Sequence, residues 1–593
     1  MEDSPLRPTS SIKELRELVR NVISFKDLRL VSTDPDLPPN AAAAADGRAT
    51  PSRRRSNPSR ETPTSSNIDA HGLSEGVNVD NGRLAVIMVG LPARGKTFLC
   101  NKLMSYLNWL GHPTCHFNVG AYRRNQRGEH EIQDAAFFDH NNAEGRAARE
   151  MAFRAALEDM IAWLRQERCQ VAIYDATNST QERRELLARE LKAAGVKFLF
   201  IESICNAPSV LQQNLLNKML YSPDYRGVDM EQALNDFMDR IRRYEEVYEP
   251  IQDRALHYIK LTDTTTGLGH IDLNRISGYL AGKMVVLLMN VCKSGLARAR
   301  KIWLTRHGES EYNQLALIGG DSGLSSNGEA YAAALPAVLK SRVPRDDEDA
   351  PVPVCVWTST LQRTIRTARH LPFPKVQWRA LDEIDAGICD GLTYAQIAET
   401  YPDEYAARKA DKLRYRYPRG ESYLDVIART EPVILEMERE GESLVVVSHQ
   451  AVLRVILGYL TARPQQEIPS ISIPLHTVIE LTPLPDGTVA VEYIPVPVGA
   501  SGLEASVGDA PPLAAPPLPP LPRSPRRSSA SGRHSGGGGG GGGVDAAVLA
   551  AAFAATGMGA GAAGGAAGGI PLGTLVAAEA SGGAFVVGGT PAS

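Results

Sequence analysis

The chain contains no run of about 18 apolar residues free of glycine interruptions, so no segment reads as a membrane span. It has little excess charge of either sign. Lys+Arg number 64 and Asp+Glu 68, a formal net charge of -4, which gives no global basic field for nucleic acid or an anionic membrane surface. Cysteine is sparse and unpatterned. The 7 thiols (Cys100, Cys115, Cys169, Cys205, Cys292, Cys355, Cys389) form no CxxC pair and no Cys/His metal spacing, which points to a reducing compartment, the cytoplasm. The opening stretch MEDSPLRPTSS has early acids and no apolar centre, so no secretory signal is expected. No internal repeat of solenoid length occurs.

What is present is unevenly distributed. Residues 1–82 form an extension, disordered or weakly ordered, rich in Ser, Pro, Asn and Arg. Within it Ile12, Leu15, Leu18, Val19 and Ile23 fall at helical spacing, which suggests one amphipathic helix docked on the protein's own core. From Leu84 the texture becomes strand, turn, helix, strand, the mark of an α/β fold. LAVIMV (84–89) reads as a strand buried on both faces, and Phe98, Leu99, Leu103, Leu107 and Leu110 mark a helix closed by Gly111. VAIYD (171–175) and VKFLFIESIC (196–205) are further buried strands, making residues 83–298 a doubly wound sheet. A second α/β series follows over 299–497, through KIWLT (301–305), VCVWTS (354–359), SLVVVSH (443–449) and TVIELTPL (477–484). Residues 498–593 are a low-complexity tail with a proline tract, an SPRRSS cluster and 8 consecutive glycines, expected to be a disordered spacer.

GLPARGKT, from Gly90 through Leu91, Pro92, Ala93, Arg94 and Gly95 to Lys96 and Thr97, fits the phosphate-loop pattern GxxxxGK[ST]. Its glycines let backbone N–H groups turn toward phosphate oxygens, and the following helix presents its positive end. Lys96 would meet the outer phosphates and the Thr97 hydroxyl would ligate magnesium. Asp175, at the carboxyl end of VAIYD, would hold the same ion or steer an acceptor hydroxyl. Arg123, Arg124 and Arg127 cluster in what reads as a loop, suited to capture of a sugar phosphate.

The second chemical device is RHGESEYN at 306–313. His307 is mostly unprotonated at neutral pH if its pKa is ordinary, and an imidazole can carry a phosphoryl group transiently. Arg306, Arg363 after VCVWTS, and His449 at the end of SLVVVSH would stabilise charge on the phosphoryl oxygens. Glu383 in LDEIDAG would protonate the leaving alkoxide. RKADKLRYRYPRGESY (408–423) alternates bases with tyrosines, a texture shared with nucleic-acid binders. The acidic balance instead favours a pocket gripping a second phosphate, with Arg408, Lys412 and Arg416 at spacings of 4.

With these motifs in hand, the chain over roughly 83–497 resembles the 6-phosphofructo-2-kinase/fructose-2,6-bisphosphatase family, looking most similar to its green-plant and algal branch. GLPARGKT, FNVGAYRR, YDATNSTQERR, IESIC, SPDY, RHGESEYN, IGGDSGLS, EIDAG, DKLRYRYPRGESY, SHQAVLR and PLHTV occur in the family's order. The resemblance implies a phosphate-loop kinase domain followed by a histidine phosphatase domain of the phosphoglycerate mutase-like kind. It implies ATP-dependent phosphorylation of fructose 6-phosphate at the 2-hydroxyl, with Mg2+, and hydrolysis of fructose 2,6-bisphosphate through a phosphohistidine.

In the first half the resemblance makes Asp175 and Cys205 active-site residues and adds Asn214 and Lys218 to the ATP site. Arg123, Arg149, Thr177, Arg183, Lys218, Arg240 and Tyr244 would contact fructose 6-phosphate. Lys218 stands one position before Met219, where the animal enzymes carry their lysine. In the second half His307 is the phosphohistidine, Glu383 the proton donor, and Asn313, Gly319, Tyr394, Arg408, Lys412, Tyr423, Gln450 and Arg454 contact substrate.

The chain departs from the family in two places. It reads ALIGG for the usual GRIGG, so Ala316 and Leu317 replace a glycine and an arginine, and Asp239 replaces an arginine beside Arg240. Both activities are nevertheless expected, in preference to a kinase alone, a mutase-like second half or a metabolite sensor. The resemblance also implies a homodimer through the first half. RRRS at Ser56 and PRRSS at Ser528 and Ser529 look like substrates of basophilic protein kinases.

Overall fold

A computed structural model describes residues 83–498 except 128–133, 226, 265–268, 292–299 and 346–349. The amphipathic segment at 12–23, the expected domain boundary near 298, the serines at 56, 528 and 529 and the proline tract lie outside the described residues.

The apolar run expected as a covered strand is β1 (Leu84–Val89), buried at every residue. It is central in a 6-stranded sheet with β2 (Thr114–Asn118), β3 (Val171–Asp175), β4 (Lys197–Ile204), β5 (Tyr258–Thr262) and β6 (His270–Asn274). The order is β2-β3-β1-β4-β5-β6, and every pairing is parallel except that of β5 with β6. Helices α1 (Lys96–Trp109), α2 (Val119–Arg127), α3 (Ala143–Leu164), α4 (Gln181–Ala193), α5 (Pro208–Tyr221), α6 (Met230–Glu245) and α7 (Tyr279–Val291) complete this half. The expected α1 face is largely correct: Leu99, Leu103 and Leu107 are buried, and Gly111 takes φ +92° just past the helix end.

One expectation fails here. Arg123, Arg124 and Arg127 lie on a helix, α2, and not in a loop. Asn118 starts it, its Oδ1 accepting from the Ala121 backbone N–H at 3.1 Å, and such a cap offsets the weak apolar periodicity of an arginine-rich segment.

The second half contains all 4 strands expected there, within a 6-stranded sheet of order β12-β11-β7-β10-β8-β9. In chain order the elements are β7 (Ile302–Arg306), α8 (Glu311–Gln314), α9 (Ser326–Lys340), β8 (Val354–Thr358), α10 (Gln362–Ala368), β9 (Lys375–Gln377), α11 (Tyr394–Thr400) and α12 (Pro402–Ala410). There follow α13 (Tyr423–Arg439), β10 (Ser443–Ser448), α14 (Gln450–Leu460), β11 (Thr477–Pro483) and β12 (Val489–Pro495). β7 through β10 are parallel, whereas β11 runs antiparallel to both β7 and β12. No helix among the described residues is long and apolar enough to cross a membrane.

The two halves share one apolar cluster, in which α1 and α7 meet α13 and α14. Polar contacts are set into it. Glu438 accepts from Lys102 Nζ and from the Tyr459 hydroxyl, both at 2.8 Å. Glu431 accepts from Lys283 Nζ at 2.6 Å and from the Tyr106 hydroxyl at 2.5 Å, and Trp109 Nε1 donates to the Val455 carbonyl at 3.0 Å. Burial would raise the Glu438 pKa, but Lys102 and Arg300 hold it below the usual carboxylate value. Removing one partner of a buried pair strands the other charge. Glu438→Ala is therefore expected to cost about 3 kcal/mol in urea denaturation, with much of the loss recovered when Lys102→Met is added.

Candidate active sites

At the carboxyl end of β1 the chain has to turn tightly past β4. Gly90 sits at φ +138°, and a Cβ there would lie 2.4 Å from the Ser203 carbonyl oxygen, so only glycine fits. The loop is braced from outside. Ser203 Oγ donates to the Arg94 carbonyl at 2.5 Å, Asn214 Nδ2 donates to the Ala93 carbonyl at 2.9 Å, and Cys205 packs in the same apolar cluster as Ala93. Helix α1 then begins at Lys96, whose ammonium donates to the Leu91 carbonyl at 2.7 Å. Burial pulls the Lys96 pKa down to about 8, although Asp175 opposes this.

Asp175 ends β3 beside this loop, at the sheet edge where α/β proteins place ligands. Its Oδ2 accepts from Thr97 Oγ1 at 2.8 Å and Asn118 Nδ2 at 3.0 Å, and lies 3.2 Å from His116 Nε2. Burial opposes ionisation, but His116, Lys96 and Thr97 hold the carboxyl below its usual range. An ionised carboxylate and a hydroxyl converging in this way fit a hard divalent cation such as magnesium. Lys218, exposed on α5, is among the cations repelling Lys96.

A cluster of arginines gathers on Asp224 in the same half. Asp224 accepts from Arg123 Nη2 at 2.8 Å and Arg240 Nη1 at 3.0 Å, with Arg124 at 3.4 Å. Burial works against its charge, yet Arg240, Arg123 and Arg124 hold its pKa well below the usual range. The Arg240 and Arg123 guanidinium carbons lie 3.7 and 4.7 Å from the Phe138 ring centre, with Tyr244 against the same ring. Arg149 donates to the Phe137 carbonyl, and Thr177 lends its carbonyl to Gly90 N–H at 3.0 Å. Arg183 is turned to Glu150 at 2.7 Å and stacks on Phe153. Asp239 pairs with Arg242 at 3.3 Å. Arg123 Nη1 and Arg240 Nε are buried without a hydrogen-bond partner among the described residues. Orphaned guanidinium N–H groups are what an anion would satisfy.

In the second half β7 delivers Arg306 and His307 to the sheet edge. Gly308 allows the close approach: its missing Cβ would lie 2.6 Å from the Gly328 carbonyl oxygen at the start of α9. The His307 ring sits with Nδ1 at 2.8 Å from the Gly308 carbonyl. A carbonyl only accepts, so Nδ1 carries the proton and Nε2 keeps its lone pair for chemistry. Burial, then Arg363 and Arg306, depress the His307 pKa well below the ordinary imidazole value.

His449, just before α14, has its ring centre 5.2 Å from that of His307 and is fully buried. Arg363 Nε donates to its Nδ1 at 3.3 Å, so the proton is on Nε2, 2.7 Å from Ser359 Oγ. Both nitrogens are thus engaged by the protein, whereas the sequence had suggested an imidazole aimed at phosphoryl oxygens. Glu383 reaches the start of α14, accepting from Ile384 N at 3.0 Å and Ala451 N at 3.2 Å.

Arg306, His307, Arg363 and Glu383 line a cavity of about 330 Å³, whereas His449 and Ser359 stand behind it. Its walls include Asn313, Gly319, Tyr394, Arg408, Lys412, Tyr423, Gln450 and Arg454. Arg408 Nη2 and Nε each donate at 2.7 Å, to the Tyr394 and Tyr417 hydroxyls. Of the candidates on the basic segment Arg416 is the exception: it is exposed, pairs with Asp425 and does not line the cavity. Spacings of 4 mislead because α12 ends at Ala410 and the chain turns before Arg416. Leu317 lines the cavity too, and Ala316 sits at φ +54°, a left-handed conformation that suits glycine.

Four neighbours escaped sequence reasoning: His116, Asn118, Asp224 and Ser359. The first two alternate along β2 and so share a face, a signal that was available. Asp224 lies within SPDY and Ser359 within VCVWTS, but each acts by gripping other side chains, a role that spacing alone does not announce.

Two buried histidines with depressed pKa values have a consequence for stability. Because His307 and His449 resist protonation when folded, the unfolded chain binds more protons below pH ~6.5, and folding is weakened there. Urea midpoints are expected to fall between pH 7.5 and 5.5, and to fall less in His449→Gln.

Residues 73–294 match the family model of 6-phosphofructo-2-kinase, and residues 302–494 that of the histidine phosphatase superfamily (branch 1). The 6-phosphofructo-2-kinase/fructose-2,6-bisphosphatase of Arabidopsis thaliana is 50% identical over 405 residues, which are 68% of this chain and 52% of that protein. That of Gallus gallus is 45% identical over 405 residues, 68% of this chain and 83% of the relative. The Homo sapiens 6-phosphofructo-2-kinase/fructose-2,6-bisphosphatase 3 is 43% identical over 416 residues, 70% of this chain and 77% of the relative. The chain thus spans about half the length of the Arabidopsis relative and over two thirds of the other two.

Proposed function

Because the chain belongs to the 6-phosphofructo-2-kinase/fructose-2,6-bisphosphatase family, bifunctional enzymes that make and hydrolyse fructose 2,6-bisphosphate, we propose that the loop at 90–97 and the ring of His307 are its two reacting centres.

In synthesis, the loop N–H groups and the start of α1 hold the ATP phosphates, and Lys96 meets the outer ones. Thr97 and Asp175 would hold Mg2+, which supplies charge neutralisation on the transferring group when bound. Arg123, Arg240 and Arg149 receive the 6-phosphate, displacing the hold of Asp224, and the sugar's 2-hydroxyl is brought in line with the γ-phosphorus. Asn214, Lys218, Thr177, Arg183, Tyr244 and Cys205 surround these groups.

In hydrolysis, His307 Nε2 attacks the 2-phosphate, the bond from phosphorus to the sugar oxygen breaks, and Glu383 protonates that oxygen. Water, deprotonated by Glu383, then releases phosphate from the ring nitrogen. Arg306 and Arg363 bear the charge of both transition states, and His449 orients Arg363. Arg408, Lys412, Arg454, Tyr394, Tyr423, Gln450, Asn313 and Gly319 hold the rest of the substrate. Arg416 drops out of this set.

The observation that carries the hydrolytic half is the tautomer of His307, which leaves one ring nitrogen free toward a cationic cavity. Substrate labelled in the 2-phosphate, quenched in alkali during turnover, should leave label on His307. Label that passes to water without residing on the protein would overturn the reading.

Leu317 bears on the balance of the two directions. Where the family usually carries arginine, this chain has an apolar wall in the cavity. A regained charged hydrogen bond contributes about 1.5 kcal/mol, so Leu317→Arg is expected to lower the KM for hydrolysis about tenfold. Synthesis rates measured on the same variant should not move.

The reading extends to a homodimer through the first half, which the edge strand β6 and the exposed Leu273 support. It also includes regulatory protein kinases acting at Ser56, Ser528 and Ser529, and a cytoplasmic location.

A further inference from the structure

Two side chains near the phosphate loop, Cys100 and His116, carry chemistry that synthesis does not need, and they converge on Asp175, which it does. Cys100 stands one helical turn beyond Lys96 and Thr97, on the same face of α1. His116 stands two residues before Asn118 on β2, so both side chains face the end of β3. Asp175 completes the group. One ligand atom from each of Cys100, His116 and Asp175 lies within 4.8 Å of the others, and His116 Nε2 is 3.2 Å from Asp175 Oδ2.

We propose that Cys100, His116 and Asp175 bind a thiophilic divalent cation, zinc being the best fit, and that its occupation competes with magnesium at Thr97 and Asp175 and switches off synthesis alone. Magnesium takes hard oxygen ligands in an octahedron and has no use for a thiol or an imidazole. Sulfur, nitrogen and oxygen donors in one cluster are a zinc set, with a water completing the tetrahedron. Tetrahedral bonds of about 2.0–2.3 Å bring ligand atoms to roughly 3.3–3.8 Å of one another. The cluster therefore needs to close by only about 1 Å, within the reach of side-chain rotation.

Proton bookkeeping is simple. The Cys100 thiol is fully buried, and burial keeps it protonated in the absence of a cation. On binding, it releases one proton to solvent and becomes the thiolate ligand. The proton on His116 Nε2 moves by tautomer exchange to Nδ1, freeing Nε2 for the metal. Asp175 is already ionised. Because Asp175 cannot serve both ions in their preferred geometries, zinc and magnesium–ATP exclude one another.

The test has a spectroscopic arm and a kinetic arm. Cobalt(II) added to the full chain without nucleotide should give a thiolate-to-cobalt charge-transfer band and tetrahedral visible bands. The near-isosteric Cys100→Ser should lose the charge-transfer band. His116→Gln, which keeps a donor near Asp175 but lacks the imidazole, should lose the tetrahedral pattern. In the kinetic arm, the buffered free zinc that halves synthesis should be at least tenfold lower for the wild type than for either variant. Each variant is compared with its own zinc-free rate, and hydrolysis serves as the internal control. A cobalt–thiolate band that survives in Cys100→Ser, no band in the wild type, or equal zinc sensitivity in all three proteins would overturn the proposal. The kinetic arm rests on the ATP reading of the loop, and the cobalt arm does not. Failure of that reading would therefore appear as absent synthesis with the cobalt band intact.

Discussion

Hydrolysis of the 2-phosphate should fall by at least about 10⁴-fold in His307→Ala, while synthesis stays within a factor of about two. The size follows from what the ring does. Without Nε2 there is no covalent intermediate, and the remaining cations can only assist a direct attack by water. The cavity keeps Arg306, Arg363, Arg408, Lys412 and Arg454, so substrate should still bind, and the loss should appear in kcat rather than in KM. A structural effect is distinguishable. His307 is buried and neutral, so alanine leaves a small void but no stranded charge. The variant should fold, and its synthesis rate reports on that within the same preparation. His307→Gln sharpens the comparison, since its amide can retain the hydrogen bond to Gly308 yet cannot carry a phosphoryl group. If either variant hydrolyses at a normal rate, the ring is not the nucleophile.

How much of this was readable beforehand divides along a physical boundary. Strands buried on both faces announce themselves as apolar runs, and β1, β3, β4, β7, β8, β10 and β11 were all recognisable. β2, β5, β6, β9 and β12 were not among them: every residue of Lys375–Gln377 is exposed, and Val489–Pro495, though apolar in composition, pairs only at the sheet edge and has no buried position. The phosphate loop and RHG were legible because backbone geometry restricts which residues fit. Gly90 and Gly308 have no room for a Cβ. Arg416 departs from its expected place because a spacing of 4 presumes a helix that stops at Ala410. Asp224 was illegible for a different reason: its role is to hold three arginines from α2 and α6, a relation that exists only after folding. The same applies to the contact between halves. Lys102 and Glu438 are 336 positions apart, and each alone reads as a surface charge.

Lys96→Met should lower synthesis by about 10²–10³-fold and leave hydrolysis unchanged, and the opposite sign of its effect on stability makes it the more diagnostic of the two substitutions. In the chain without nucleotide, Lys96 is a buried ammonium whose nearest hydrogen-bond acceptor is the Leu91 carbonyl. Burial dominates its environment, which is why its pKa falls to about 8 despite Asp175. The folded state therefore opposes the charged form. Between about pH 8 and the ordinary lysine value of ~10.4, the unfolded chain binds more protons, so wild-type stability should climb with pH across that window. At pH 7 the full penalty applies, and methionine, with similar length and no charge, should remove it. The variant is expected to be at least as stable as the wild type at pH 7 and to lose the rise above pH 8. ATP phosphates reverse the balance by supplying the counter-charge, so the destabilisation of the empty site is recovered as transition-state binding. A variant that loses both stability and synthesis would mean that Lys96 acts as a structural brace for the loop. A variant that loses synthesis alone would locate the charge at the transferring phosphoryl group.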